Sequence, residues 1–178
     1  MNDRGIRPKS IVLIGPPGAG KSTVGGLLAR EIEQDFVDTD QEIESREGKK
    51  ISEIFVEDGE PHFREIEEVV VLDVLKRSSG VIALGGGAVL SDSVQEELQR
   101  MKDSSECELL FLDVTIAYAA PRVGFNKERP LLLVNPRASW QELMNKRRPI
   151  YTSLASRIID TNERTPEDVV TEIMAQWR

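Results

Sequence analysis

The run Gly15-Pro16-Pro17-Gly18-Ala19-Gly20-Lys21-Ser22 constrains this chain more than any other feature. It matches G-x-x-x-x-G-K-[ST], directly after the apolar run 11–14 and directly before a helical pattern. Glycine at Gly15, Gly18 and Gly20 lets the backbone turn so that successive N–H groups surround an anion, and the helix that follows presents its positive N-terminal end. Strand, loop and helix in that order belong to a parallel α/β sheet.

A loop of this kind holds the phosphates of a nucleotide. Gly15, Gly18, Ala19, Gly20, Lys21, Ser22 and Thr23 form the expected nucleotide-binding set, with Lys21 reaching the β and γ phosphates of ATP. Ser22 offers a hydroxyl to Mg²⁺, the hard cation that charge on a transferring phosphoryl group requires. By composition alone the pattern arises in on the order of 1% of chains of this size, and its flanks make coincidence rarer. GTPases of the common type also need D-x-x-G and N-K-x-D segments; neither occurs, since Asn145-Lys146 runs on into Arg147 and Arg148.

The rest of the chain repeats the alternation. Short β-rich runs at 10–14, 36–37, 81–84, 109–114 and 157–160 are interleaved with amphipathic stretches at 23–33, 91–101, 140–154 and 166–177. Val24, Leu27, Leu28 and Ile32 fall at the helical period, as do Val169, Val170, Ile173, Met174 and Trp177, so both faces are expected in the core. Ser139 with Glu142 has capping-box spacing, and Thr165 before Pro166 places a capping hydroxyl ahead of proline at the first helical position. The segment 124–136 lacks periodicity and reads as a loop. With 178 residues, one domain spanning the chain is expected.

The net charge of −8 and pI near 4.9 disfavour nucleic acid and membrane surfaces as partners, so an anionic substrate needs a local basic cluster. No apolar run approaches the roughly 20 residues of a membrane span and the N-terminal segment lacks an apolar stretch, so a cytoplasmic protein is expected. Cys107 sits in an apolar run and reads as an inert core thiol; His62 has no partner at metal-ligand spacing; Trp140 and Trp177 read as packing residues.

Five further segments follow the glycine loop: Asp38-Thr39-Asp40, Phe63-Arg64-x-x-Glu67, Gly85-Gly86-Gly87, Arg129-Pro130-Leu131-Leu132 and Arg147-x-Pro149-x-Tyr151. In this order and spacing, over about 10–174, the chain resembles the shikimate kinases. The resemblance implies a P-loop kinase fold: a three-layer α/β/α sandwich on a five-stranded parallel sheet, with a helical acceptor-binding insertion near 42–77 and a lid near 124–136. It implies that Asp38 supports Mg²⁺ together with Ser22, and that Asp40 binds the acceptor hydroxyls as candidate base. Arg64 and Arg147 are expected to grip the carboxylate of shikimate, with Gly85, Gly86 and Gly87 against its ring. Arg129 resembles a lid arginine over the phosphates, and Arg122, Arg164 and Pro166 fall where the family holds adenine.

Each assignment has a plainer alternative at this stage. The two aspartates could cap a helix, although Thr39 and Glu42 could form a capping box without them. Arg64 with Glu67 could be a surface ion pair. No aspartate ends the strand before Gly85, yet Asp113 ends another apolar strand and offers a rival metal ligand. The expected activity is transfer of the ATP γ-phosphoryl group to the 3-hydroxyl of shikimate by a monomer. A gluconate or nucleoside monophosphate kinase and a non-catalytic ATP-binding module stand as alternatives.

Overall fold

A computed structural model describes residues 8–123 and 135–177. Its centre is a five-stranded sheet of β1 (Ser10–Ile14), β2 (Phe36–Asp38), β3 (Gly80–Ala83), β4 (Cys107–Asp113) and β5 (Arg157–Asp160), in the order β2-β3-β1-β4-β5 with every pairing parallel. Val12 stands opposite Ile82 on one side and Leu109 on the other. Every residue of β1 and β3 is buried, as expected of strands covered by helices on both faces.

The helices are α1 (Lys21–Glu31), α2 (Thr39–Glu47), α3 (Ile51–Glu57), α4 (Glu60–Arg77), α5 (Asp92–Asp103), α6 (Ile116–Val123), α7 (Pro136–Leu154) and α8 (Pro166–Ala175), with a 3₁₀ turn at Ala88–Leu90. Val24 and Leu28 of α1 and Val169, Val170 and Ile173 of α8 are buried, and these two helices pack together. Cys107 is buried in β4, where desolvation raises its thiol pKa to about 11 and keeps it protonated. Among the described residues no helix is long and apolar enough to cross a membrane.

Two local expectations change. α7 begins four residues before Trp140: Asn135 is its N-cap, accepting from the Ala138 N–H at 3.3 Å, with Pro136 at the first helical position. Ser139 therefore lies inside the helix, and the Ser139–Glu142 capping box does not start it; proline after a side-chain acceptor is the stronger start signal. α6 was absent from the sequence reading, since it is short and interrupted by Pro121. The expected insertion at 42–77 consists of three helices, α2 to α4. At α8 the expectation holds: Thr165 and Asp168 form a reciprocal capping box ahead of Pro166.

The topology gathers the chemistry at one edge. Because all strands run in one direction, the glycine loop after β1, Asp38 at the end of β2 and the glycines after β3 emerge at the same side of the sheet.

Candidate active site

The glycine loop leaves β1 with positive φ at Gly15 (148°), Gly18 (84°) and Gly20 (89°). At Gly20 this left-handed turn forms the N-cap of α1 without a side-chain cap, so the helix start is left to backbone amides. The Lys21 ammonium donates to the Gly15 and Pro16 carbonyls at 2.8 and 3.1 Å, which folds the side chain over the loop. Pro17 to Val24 line one wall of a cleft whose other walls come from Asp38, Asp40, Leu84, Gly86, Arg122, Thr161, Arg164, Pro166 and Val169.

On the far side of that cleft, Arg122 donates to the Thr161 carbonyl at 2.7 Å and to its hydroxyl at 3.2 Å, and approaches the Gly18 carbonyl at 3.4 Å. Arg164 is held by the Asp160 and Asp168 carbonyls and by Glu172. Both guanidinium groups are thus fixed, and with Pro166 they line this end of the cleft.

Asp38 divides its carboxylate between two tasks. One oxygen caps α2, accepting from the Asp40 N–H at 3.0 Å and the Gln41 N–H at 3.4 Å; the other accepts from the Ser22 hydroxyl. The aspartate is therefore the N-cap, and the Thr39–Glu42 box considered from the sequence does not form. Thr39 is instead buried, its hydroxyl accepting from the Gly85 N–H at 2.9 Å. Ser22 and Asp38 side by side suit a hard cation that takes its remaining ligands from phosphates and water. Among the described residues there is no cluster of three His, Cys, Asp or Glu able to hold a metal without such help. Asp113, the rival metal ligand, pairs with Arg148 at 2.6 Å and lines neither cleft.

A second cleft opens from the first. It is lined by residues of α2, α3 and α4 and by Gly86, Gly87, Leu143 and Arg147. Pro17, Ser22, Asp38, Asp40 and Gly86 line both clefts, so the two are one continuous space.

Arg64 is clamped from both sides along α4. Its Nη1 pairs with Glu67, while Nε and Nη2 reach Glu60 at 3.4 and 3.2 Å. Of five guanidinium N–H groups these contacts use three, leaving one on each Nη to face the cleft as a fork. Glu67 is only 3% exposed; burial raises its pKa even though Arg64 opposes the shift. Arg147 is buried on α7 within the same wall.

Close approach calls for glycine at Gly85 and Gly87, while a Cβ on Gly86 would be tight at 3.3 Å from the Gly15 carbonyl oxygen and Pro17. A Cβ on Gly85 would collide with Asp40 and lie 2.8 Å from Glu67, and one on Gly87 would occupy the Arg64 guanidinium. Any larger residue here would displace the acidic and basic groups that define the second cleft.

Most of the residues singled out from the sequence are therefore assembled: Gly18 to Thr23, Arg122, Arg164 and Pro166 around the first cleft, Arg64, Gly87 and Arg147 around the second, and Asp38, Asp40 and Gly86 at their junction. Gly15 and Gly85 lie directly behind the walls. Arg129 and most of the expected lid lie outside the described residues. His62 is exposed, 3.8 Å from Glu65, and lines neither cleft. Three contributors were missed: Glu60, Thr161, and Trp140, whose buried indole N–H donates to the Pro17 carbonyl at 2.9 Å. Glu60 could have been found from its i, i+4 spacing to Arg64; the other two carry no local signal.

Comparison with known proteins agrees with this arrangement. The shikimate kinase family model matches residues 17–178. A shikimate kinase from Rhodococcus erythropolis is 47% identical over 96% of this chain and 98% of its own length; one from Thermobifida fusca is 48% identical over 93% and 92%. The structure of the Acinetobacter baumannii shikimate kinase, solved in complex with shikimate, superposes with a TM-score of 0.88 at 35% identity, covering 95% of this chain and 92% of that one. On matches of this extent the chain belongs to the shikimate kinase family, the ATP-dependent kinases of shikimate.

Proposed function

We propose that the chain transfers the γ-phosphoryl group of ATP to the 3-hydroxyl of shikimate, with the nucleotide in the first cleft and the acceptor in the second. The observation that carries this reading is that Asp38, Asp40 and Gly86 line both clefts, so that a terminal phosphate in the first and an alcohol in the second would face one another at these residues.

The adenine end rests between Arg122 and Pro166, with Arg164 close by. The phosphates lie against the loop amides, and Lys21 exchanges its carbonyl partners for phosphate oxygens as charge builds on the transferring group. Ser22 and Asp38 would hold Mg²⁺, which when bound neutralises phosphate charge. Arg129 is proposed to add positive charge over the same group.

On the acceptor side, the free edge of Arg64 and the Arg147 guanidinium take the shikimate carboxylate. The protein's net charge is −8 and Asp40, Glu44 and Glu67 line the same cleft, so capture of an anion rests on Arg64 and Arg147 together. Asp40 accepts a hydrogen bond from the reacting hydroxyl and takes its proton as the oxygen attacks. Gly85, Gly86 and Gly87 let the ring lie directly against the backbone.

The test is release of ADP by the full chain with ATP, Mg²⁺ and one acceptor at a time. ADP release with shikimate, and none above background with gluconate or AMP, is expected; equal turnover with gluconate or AMP would overturn the assignment of the acceptor.

A further inference from the structure

The reaction uses Arg147 from the Arg147-x-Pro149-x-Tyr151 segment and leaves Tyr151 without a task. Tyr151 stands four residues further along α7, fully buried, and its hydroxyl donates to the Gly86 carbonyl at 2.5 Å. Phe111 flanks the ring at a centroid distance of 5.0 Å, and Arg147 interacts with the phenol from the side. Burial pushes the phenol pKa up to about 12, so it remains a neutral donor at ordinary pH.

Gly86 and Gly87 line the acceptor cleft; Tyr151 lines neither cleft. A carbonyl drawn to Tyr151 is drawn into the protein. None of the described peptide bonds is cis, so the Gly86 carbonyl and the Gly87 N–H point in opposite directions across one plane. Holding the carbonyl inward therefore turns the amide the other way; the Arg64 guanidinium stands close to the same residue, where a Cβ on Gly87 would fall. Among the described residues that amide makes no hydrogen bond. Turn bonds from the Ala88 N–H to the Gly85 carbonyl at 3.1 Å and from the Leu90 N–H to the Gly87 carbonyl at 3.0 Å hold the residues on either side, and the bond from Tyr151 holds the Gly86 carbonyl between them, where glycine gives the peptide plane little preference of its own.

We propose that Tyr151 is a positioning residue: its hydroxyl fixes the Gly86–Gly87 peptide plane so that the Gly87 N–H is presented, beside Arg64 and Arg147, to the anionic group of the acceptor. Tyr151 does not touch the acceptor. The inference rests on the placement of shikimate in the second cleft.

Tyr151→Phe keeps the ring and deletes the hydroxyl's bond to Gly86 together with its contact to Arg147, so the Gly87 amide resonance described below is read beside KM. In the ADP-release assay the KM for shikimate is expected to rise roughly five- to twentyfold, the scale of one misdirected hydrogen bond to a charged group. The KM for ATP should stay within about twofold. A shikimate KM unchanged in the variant, or equal rises for both substrates as a loosened fold would give, overturns the proposal while leaving the parent's activity and the proposed function intact. A parent that releases no ADP with shikimate removes both. A second measurement covers a variant that does not fold: in the ¹⁵N-labelled parent, titration with shikimate should move the Gly87 amide proton strongly downfield, and an unmoved resonance refutes the assignment.

Discussion

Replacing Arg64 by alanine should produce two losses that a second substitution separates. The first is in binding. Two guanidinium N–H groups are left over after Glu60 and Glu67 have taken theirs, and removing that fork should weaken shikimate by about 1.5–3 kcal/mol, or about 10- to 150-fold. The second loss is in folding. Glu67 is buried at 3% exposure and would keep its desolvation cost without its principal cation, a defect of about 3–5 kcal/mol for a broken buried pair. For a domain of this size that is roughly 6–20 °C in Tm. Adding Glu67→Gln removes the stranded charge, so the double variant should regain most of the Tm and none of the affinity. Calorimetric titration with shikimate and thermal melts of the parent, single and double variants read the two losses independently. Unaltered affinity in Arg64→Ala would refute the carboxylate contact, and a double variant no more stable than the single would refute the account of Glu67.

Asp40→Asn should leave ATP affinity intact and lower kcat by about 100-fold or more, read by ADP release; an unchanged kcat removes Asp40 from the chemistry. Gly87→Ala, whose Cβ would displace the Arg64 guanidinium, should raise the KM for shikimate at least tenfold with little change for ATP, and equal effects on both substrates would contradict the separation of the clefts. Burial raises the Glu67 pKa above its ordinary 4.5, so between 4.5 and the raised value the folded state binds more protons than the unfolded one. The Glu67 contribution to stability therefore falls as pH rises across that window and is level above it. Glu67→Gln should lose this slope, its Tm relative to the parent rising with pH from about 4.5; parallel curves would refute the shift.

What could be read in advance depended on how local the signal was. The glycine loop, the buried strands and the Thr165–Pro166 start of α8 lie within a few residues of their own causes, and all are present in the structure. Asp38, Asp40, Arg64 and Arg147 were legible as chemistry only through the order of the motifs, and their convergence needed the sheet to bring the strand ends together. The division of labour in Asp38-Thr39-Asp40 was not legible, because capping by Asp38 is local but the bond from Gly85 to Thr39 spans 46 positions. Trp140 reaches Pro17 across 123 positions and Tyr151 reaches Gly86 across 65, and a buried aromatic gives no hint in sequence of which carbonyl its polar end will find. α6 escaped notice because eight residues containing a proline do not establish a period.

The carboxylate that starts α2 has a mechanical consequence. With one oxygen tethered to the amide of Asp40 and the other to the residue following Lys21, Asp38 cannot rotate without disturbing both neighbours. Turning it would open the first turn of α2 and let go of the first turn of α1 together, so the starts of the two helices are pinned to one another at this single carboxylate.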